Sequence, residues 1–292
     1  MKIPPYALLL LATVLWGGNF VIGRAVSGNI PPLTLAFLRW CVAFIVFLPI
    51  AYRSVKREWH MLKEHWKIVL ILAFTGVAAF NTLVYIALHY TTSINASLMN
   101  SSTPIMIYIL SFIFLKEKLS SFQILGTALS LSGVLFIISG GSFASLVDFT
   151  FNKGDLIVVV AVFCWSIYSL LVKHYAGRLP GQSTFLVTIF IGAIMLLPFY
   201  LYEITTMPNA IHWHWSTIAA ILYVGIFASI VAFLCWNHGV VQLGANKAGI
   251  YLNFIPVFAS IFAVLFLDEQ LHIFQIFGGL AVVAGVLLSS KK

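Results

Sequence analysis

Apolar residues run along this chain in blocks of about twenty, and polar residues fall between the blocks rather than alternating within them. A transmembrane strand needs only about ten alternating residues, whereas a helix needs about twenty that are continuously apolar. The blocks predict ten helices, over residues 5–24, 32–52, 67–88, 94–115, 120–139, 155–174, 183–202, 216–240, 246–267 and 272–289. In hydrocarbon every backbone amide must be satisfied within the protein, which leaves helices or closed barrels, and the unbroken runs select helices. The opening run, MKIPPYALLLLATVLWGG, lacks a small-x-small cleavage pattern and continues to full span length, so it reads as the first helix rather than a cleaved leader.

A second pattern lies over the first. Phe114–Phe136, FLKEKLSSFQILGTALSLSGVLF, recurs as Phe266–Leu288, FLDEQLHIFQIFGGLAVVAGVLL, with 11 of 23 positions identical. Trp16, Arg24, Pro31, Pro49, Trp66 and Gly76 align with Trp165, Lys173, Pro180, Pro198, Trp215 and Gly225, all 149 residues on. Pro104, Glu117, Gly126 and Gly133 align with Pro256, Glu269, Gly278 and Gly285, all 152 on, so one three-residue insertion reconciles the offsets. The domains are therefore residues 1–145 and 150–292, each holding five spans. Five is odd, so the second unit enters the membrane from the opposite side. The expected fold class is an all-α integral membrane protein of ten transmembrane helices in two inverted five-helix repeats. Such pairs characterise secondary transporters, whose substrate site lies near the midplane between the repeats.

Composition agrees with the pattern. The chain is 61% hydrophobic and 8% charged, with a mean hydropathy of +1.03; a soluble domain carries roughly a quarter charged residues. The net charge of +8 does not call for nucleic acid, because its distribution is that of a membrane protein. With the N-terminus inside, 13 of the 16 Lys and Arg residues fall on cytoplasmic segments, Arg24 and Lys153 fall outside, and Arg39 lies within a span. That bias predicts a multi-pass protein of the cell (inner) membrane with both termini cytoplasmic. The basic segment Arg53–Lys67, with Trp59 and Trp66 between its cations, reads as a short helix at headgroup level. Cys41, Cys164 and Cys235 fall within spans without CxxC spacing and read as packing residues, with neither a disulfide framework nor a metal site implied.

The motifs LWGGNFVIGRA (Leu15–Ala25), FLRW (Phe37–Trp40), FLKEKLSSFQILG and FLDEQLHIFQIFG, with Pro104 and Pro256 upstream of the last two, resemble the EamA-type members of the drug/metabolite transporter superfamily over essentially the whole chain. The resemblance implies export of amino acids or other small metabolites. It also implies a central cavity lined by helices 1, 3, 4, 6, 8 and 9, with helices 5 and 10 peripheral.

Polar faces point to the same centre. Pro104 and Pro256 cannot donate to the residues four earlier, so they free the carbonyls of Asn100 and Leu252 and favour kinks. Ser97, Ser101, Pro104 and Tyr108 form one stripe at helical spacing, and Gly249, Asn253, Pro256 and Ser260 form its mate. A polar face in a membrane helix meets protein or a water-filled cavity, so interhelical packing stands beside the cavity reading. Asn81 and Tyr85 lie one turn apart in helix 3. Trp236 and Asn237 lie in helix 8, with Asn237 aligned to Tyr85. Trp16 and Asn19 in helix 1 align with Trp165 and Tyr168 in helix 6. Tyr251 completes the substrate-binding candidates. Aromatic walls with a few amides and hydroxyls suit a small, partly apolar solute, while simple core packing is the alternative for each ring.

Arg39 lies about eight residues, or roughly 12 Å, from the outer end of helix 2. It can receive a substrate carboxylate or serve structure, and the structural reading is preferred. Its repeat mate is Thr188. No Asp or Glu falls mid-span, which argues against a proton/cation antiporter built on a membrane-embedded carboxylate. Glu117 and Glu269 are expected to bond the free amides at the starts of helices 5 and 10, with gating as the alternative. His238 is a proton candidate, and the HWH of His212–His214 reads as interfacial rather than metal-binding. Gly126, Ser130 and Gly133, with Gly278, Ala281 and Gly285, form small-residue faces for close packing within the monomer or across a dimer.

These features predict a secondary transporter of small neutral or zwitterionic metabolites, with amino acid export foremost. Another metabolite, such as a vitamin or nucleotide-linked solute, is the alternative. A polytopic membrane enzyme ranks last, because the eight acidic residues are scattered. No catalytic residues, cofactors or metal are expected. The partners are a small-molecule substrate and the lipid bilayer, with monomer and homodimer both open.

Overall fold

The computed structural model describes residues 4–115, 120–142, 152–207 and 211–289. Every regular element in this range is a helix. We number them α1 (Pro5–Ala25), α2 (Pro32–Glu64), α3 (Trp66–Ala87), α4a (Ser93–Asn100), α4b (Thr103–Leu115), α5 (Ser121–Ile138), α6 (Lys153–His174), α7 (Gly181–Thr206), α8 (Trp215–Leu243), α9a (Ala245–Tyr251), α9b (Phe254–Leu267) and α10 (Ile273–Ser289). Among the described residues, seven helical stretches are long and apolar enough to cross a membrane, the α4a–α4b pair counting as one. Three shorter apolar helices accompany them, in α5, α9b and α10.

The interruptions lie where proline chemistry places them. Pro104 withholds its N–H from the Asn100 carbonyl, and the helix opens at Ser101–Ser102. The loosened carbonyls are taken up locally: Thr103 Oγ1 donates to Asn100 O at 2.6 Å and Ser102 Oγ to Met99 O at 2.7 Å. Pro256 acts likewise at Leu252–Asn253, where Ile255 N closes a tighter bond to Leu252 O at 3.0 Å. A second pair of irregularities was not predicted. Ala73–Ala79 in α3 and Val224–Val231 in α8 wind as π-helix, one residue wider per turn than α-helix. The two wide turns surround the aligned Gly76 and Gly225.

Contacts between the halves come in mirrored sets. Helix α1 packs on α8 and α9b, and its repeat mate α6 packs on α3 and α4b. Helix α2 packs on the wide turn of α8, and α7 on that of α3. The α2–α7 and α5–α10 pairs map onto themselves. Helices α2 and α7 run antiparallel, each reaching the start of the other with a glutamate. Near the end of α7, Glu203 accepts from Thr34 N at 2.6 Å and Thr34 Oγ1 at 2.8 Å, while Glu58 near the end of α2 accepts from Ser183 Oγ.

Three expectations change. The basic segment from Arg53 is no separate surface helix, because α2 continues unbroken to Glu64, although Trp59 and Trp66 remain exposed. Glu269 does bond free amides, but those of Ser93 and Ile94 at the start of α4a (3.1 and 3.2 Å) rather than at α10. Its helix-end position brings it to the neighbour's amide donors, not its own. Glu117 lies outside the described residues. The small-residue faces meet within one chain: a Cβ on Gly133 would lie 2.7 Å from Gly278 O, and one on Gly285 would lie 2.5 Å from Gly126 O and Ser130 N.

That closeness makes the α5–α10 seam intolerant of bulk. Gly285→Val is expected to destabilise the protein by about 1–3 kcal/mol through overpacking, read as a lower midpoint of thermal unfolding in detergent. An unchanged midpoint would mean that the two helices do not touch there.

Candidate functional site

A cavity of about 450 Å³ lies among α6, α7 and α8, with Leu72 of α3 closing one side. Its mouth is at the α6–α7 junction, where Gly177, Gln182 and His238 are exposed. Its floor is buried and comprises Tyr168, Phe185 and Thr188. Among the described residues, no Asp, Glu, Lys or Arg lines it. Tyr168 and Asn237 face each other across it, with Asn237 Nδ2 donating to Tyr168 Oη at 2.9 Å. At the rim Lys173 Nζ donates to Val241 O at 3.2 Å, which holds the last turn of α8.

At the opposite end the packing is closer. Val26 and Ile30 are buried where their mates, cavity-lining Tyr175 and Leu179, are half-buried, while Leu35 and Ala36 are buried as Thr184 and Phe185 are. The mate of Thr188 is Arg39, which is 0% exposed. Its Nη1 donates to Tyr85 Oη at 2.6 Å, Asn81 Oδ1 at 2.7 Å and Asn19 Oδ1 at 3.3 Å, while Nε donates to Ser229 Oγ at 2.8 Å. The guanidinium also lies 5.1 Å from the Trp40 ring and 5.5 Å from that of Tyr85, a favourable placement for a cation. All four hydrogen-bond partners are neutral. Ser229 stands ready because the wide turn of α8 lets its hydroxyl donate to Val224 O, five residues back, at 2.7 Å.

The two ends thus carry one device with its chemistry exchanged. Asn19 on α1 and Tyr85 on α3 are bonded at 2.7 Å. Their mates, Tyr168 on α6 and Asn237 on α8, are bonded with the residue types reversed. Arg24 Nη1 caps Leu88 O at 2.6 Å as its mate Lys173 caps Val241 O.

Between the ends sits a packed aromatic cluster. Trp16, Trp165 and Trp236 have ring centroids 5.2–5.8 Å apart around Phe233, and Trp16 Nε1 donates to Ala228 O, on the wide turn of α8, at 3.0 Å. These tryptophans are buried, and Trp16 and Trp165 border only a void of about 10 Å³, the space of roughly one water, shared with Asn19 and Asn100.

Of the candidate residues, therefore, Tyr168 and Asn237 line the open cavity, and Asn19, Asn81 and Tyr85 hold Arg39. Trp16, Trp165, Trp236 and Asn100 lie at the centre. Ser97 donates to its own helix at Ile94 O, and Ser101 and Asn253 lie at the helix interruptions. Tyr108 packs in a small satellite with Ile105, and Tyr251 rests between Tyr6 and Phe254 against the main core. Gln182, Thr184 and Thr188 of α7 escaped the reading. The signal was available, because Thr188 is the mate of the conspicuous Arg39. Helix 7 was absent from the wall that the resemblance implied.

Comparison with known proteins follows the same two halves. The profile of the EamA-like transporter family matches residues 3–139 and again 152–291. An uncharacterized transporter of Bacillus subtilis, YyaM, is 28% identical over 98% of this chain and 93% of its own length. An uncharacterized transporter of Archaeoglobus fulgidus is 27% identical over 100% and 99%. A crystal structure at 18% identity superposes with a TM-score of 0.70 over 98% of this chain and 97% of that one, which shows the shared fold.

The two Tyr–Asn pairs differ in what depends on them. Tyr85→Phe strips a buried bond from both Arg39 and Asn19 and is expected to cost about 1–3 kcal/mol, while Tyr168→Phe, whose partner can turn to the cavity, is expected to cost less than about 1 kcal/mol. Thermal unfolding of the two purified variants checks the order, and equal losses would refute it.

Proposed function

This chain belongs to the EamA-like transporter family across both halves, and from that premise we propose that it is a secondary transporter moving small neutral or zwitterionic metabolites, amino acids foremost, outward by alternating access. The observation that carries the proposal is the pairing of an open cavity at one end with its more closely packed repeat mate at the other. Two halves of opposite orientation that exchange these conformations would carry a solute across. Mirrored contacts, the twofold family match and the aligned helix interruptions support ten spanning helices in two inverted repeats.

The cavity suits such a solute. Its volume lies within the roughly 300–1,000 Å³ of small-molecule sites. Tyr168, Thr188 and Asn237 offer hydroxyls and an amide, and Phe185, Leu171 and Leu234 offer apolar wall. A cation would meet no carboxylate there. The excess of Lys and Arg on segments assigned inside supports a cytoplasmic position for both termini and for the cavity mouth, and on this reading the structure is the inward-open form.

Counterflow into proteoliposomes, with a panel of labelled amino acids and a few vitamins, is expected to reveal saturable exchange. Asn237→Ala should reduce its kcat/KM about tenfold or more, from loss of a polar contact made to the solute. A folded protein that moves nothing on the panel would refute the assignment. Orientation has its own check. In intact cells Gln182→Cys should react with an impermeant maleimide only after permeabilisation, and labelling from outside would invert the topology.

A further inference from the structure

We infer that Arg39 is the carboxylate-binding group of the outward-open state, and that the transported solute therefore carries a carboxylate. This deepens the transporter reading and rests on its exchange between repeats. The first ground is the division of labour around the guanidinium. Nη1 is held entirely by the first half, through Asn19, Asn81 and Tyr85. The Nε–Nη2 edge is different. Among the described residues, Nε meets the second half through Ser229 alone, and buried Nη2 has no hydrogen-bond partner. That edge presents two parallel N–H groups, the geometry that takes a carboxylate with two bonds.

The second ground is electrostatic. A permanent charge within a span is expensive, and four neutral acceptors leave it without a counter-charge. Holding helices together does not require that charge. At the aligned position Thr188 uses a hydroxyl that returns to its own backbone, at Phe185 O.

The third ground is position. Thr188, Tyr168 and Asn237 line the open cavity, and their mates are Arg39, Asn19 and Tyr85. When the halves exchange conformations, these three become the wall of the outward cavity. The contact of α2 with the wide turn of α8 persists through the exchange, as that of α7 with α3 does on the open side, so a solute carboxylate reaches Nε by competing with Ser229. The carboxylate then takes the Nε–Nη2 edge in its place, while Nη1 stays anchored. Inward-open, the same solute faces Thr188 and no fixed charge. The affinity for the carboxylate thus differs between the two faces, while the direction of net transport is set by the solute gradient.

The test is sided counterflow in right-side-out and inside-out vesicles, using each labelled amino acid that the wild type moves and its decarboxylated amine. Arg39→Gln is expected to raise the outer-face KM of the amino acid about ten- to hundredfold, the loss of a charge-assisted bond, with the inner-face KM and the amine within about twofold. Arg39→Lys should retain the preference for acid over amine. Ser229→Ala, a small change that removes the competing acceptor, should lower the outer-face KM several-fold, so the inference stays exposed even if Arg39→Gln misfolds. Equal shifts at both faces, equal shifts for acid and amine, or no effect of Ser229→Ala would overturn the inference and make Arg39 a structural tether. Transport confined to solutes without a carboxylate would also overturn it while the transporter reading stands. No transport of any solute would overturn both.

Discussion

One guanidinium determines which end of this bundle is closed. Arg39 lies in α2, yet its bonds reach α1 and α3 in its own half and α8 in the other, so four helices meet at one planar group. In a low-dielectric interior each acceptor left behind would be a buried polar group without a partner, so a bond of this network is given up only when another group replaces it. The packed residues around it, from Val26 to Ala36, follow from that convergence. At the other end Thr188, at the equivalent position, returns its hydroxyl to Phe185 O and lines the cavity.

The second constraint is the backbone. Interruptions in α4 and α9 and wide turns in α3 and α8 leave peptide groups unpaired at membrane depth, tolerable only where protein supplies partners. Here the partners are local and small: Thr103, Ser102 and Ser229 hydroxyls, and the Trp16 indole that finds Ala228 O. Irregular backbone and the aromatic cluster therefore occupy the same level of the bundle. The tryptophans seal the centre between the two ends instead of forming a wall of the large cavity.

How much of this was legible depended on whether the cause was local. Apolar run length, the prolines behind the interruptions and the small-residue faces are local, and each is written in the chain. Partner choice is not. Glu269 reads as a cap, but which helix it caps is set by where α9b ends relative to α4a. Gly133 and Gly285 read as close-packing positions, but only the fold shows that they share one seam. The π-helical turns carry no composition signature apart from an aligned glycine. The cavity wall of α7 begins with a polar stretch, GQSTFLVT (181–188), but whether that face meets a cavity or a neighbouring helix is set by the fold.

The exchanged pair of Asn19–Tyr85 and Tyr168–Asn237 has a consequence for the history of the gene. Two copies of one ancestral unit are prone to overwrite each other by recombination. Here a conversion that copied α6 into α1 would set tyrosine against Tyr85, and the reverse would set asparagine against Asn237. The first overfills a buried site and the second leaves a gap lined with unpaired amides. Neither helix can be replaced by its twin without its partner changing in the same event. The reciprocal swap thus shields the two halves from homogenisation, and leaves each free to diverge from the other.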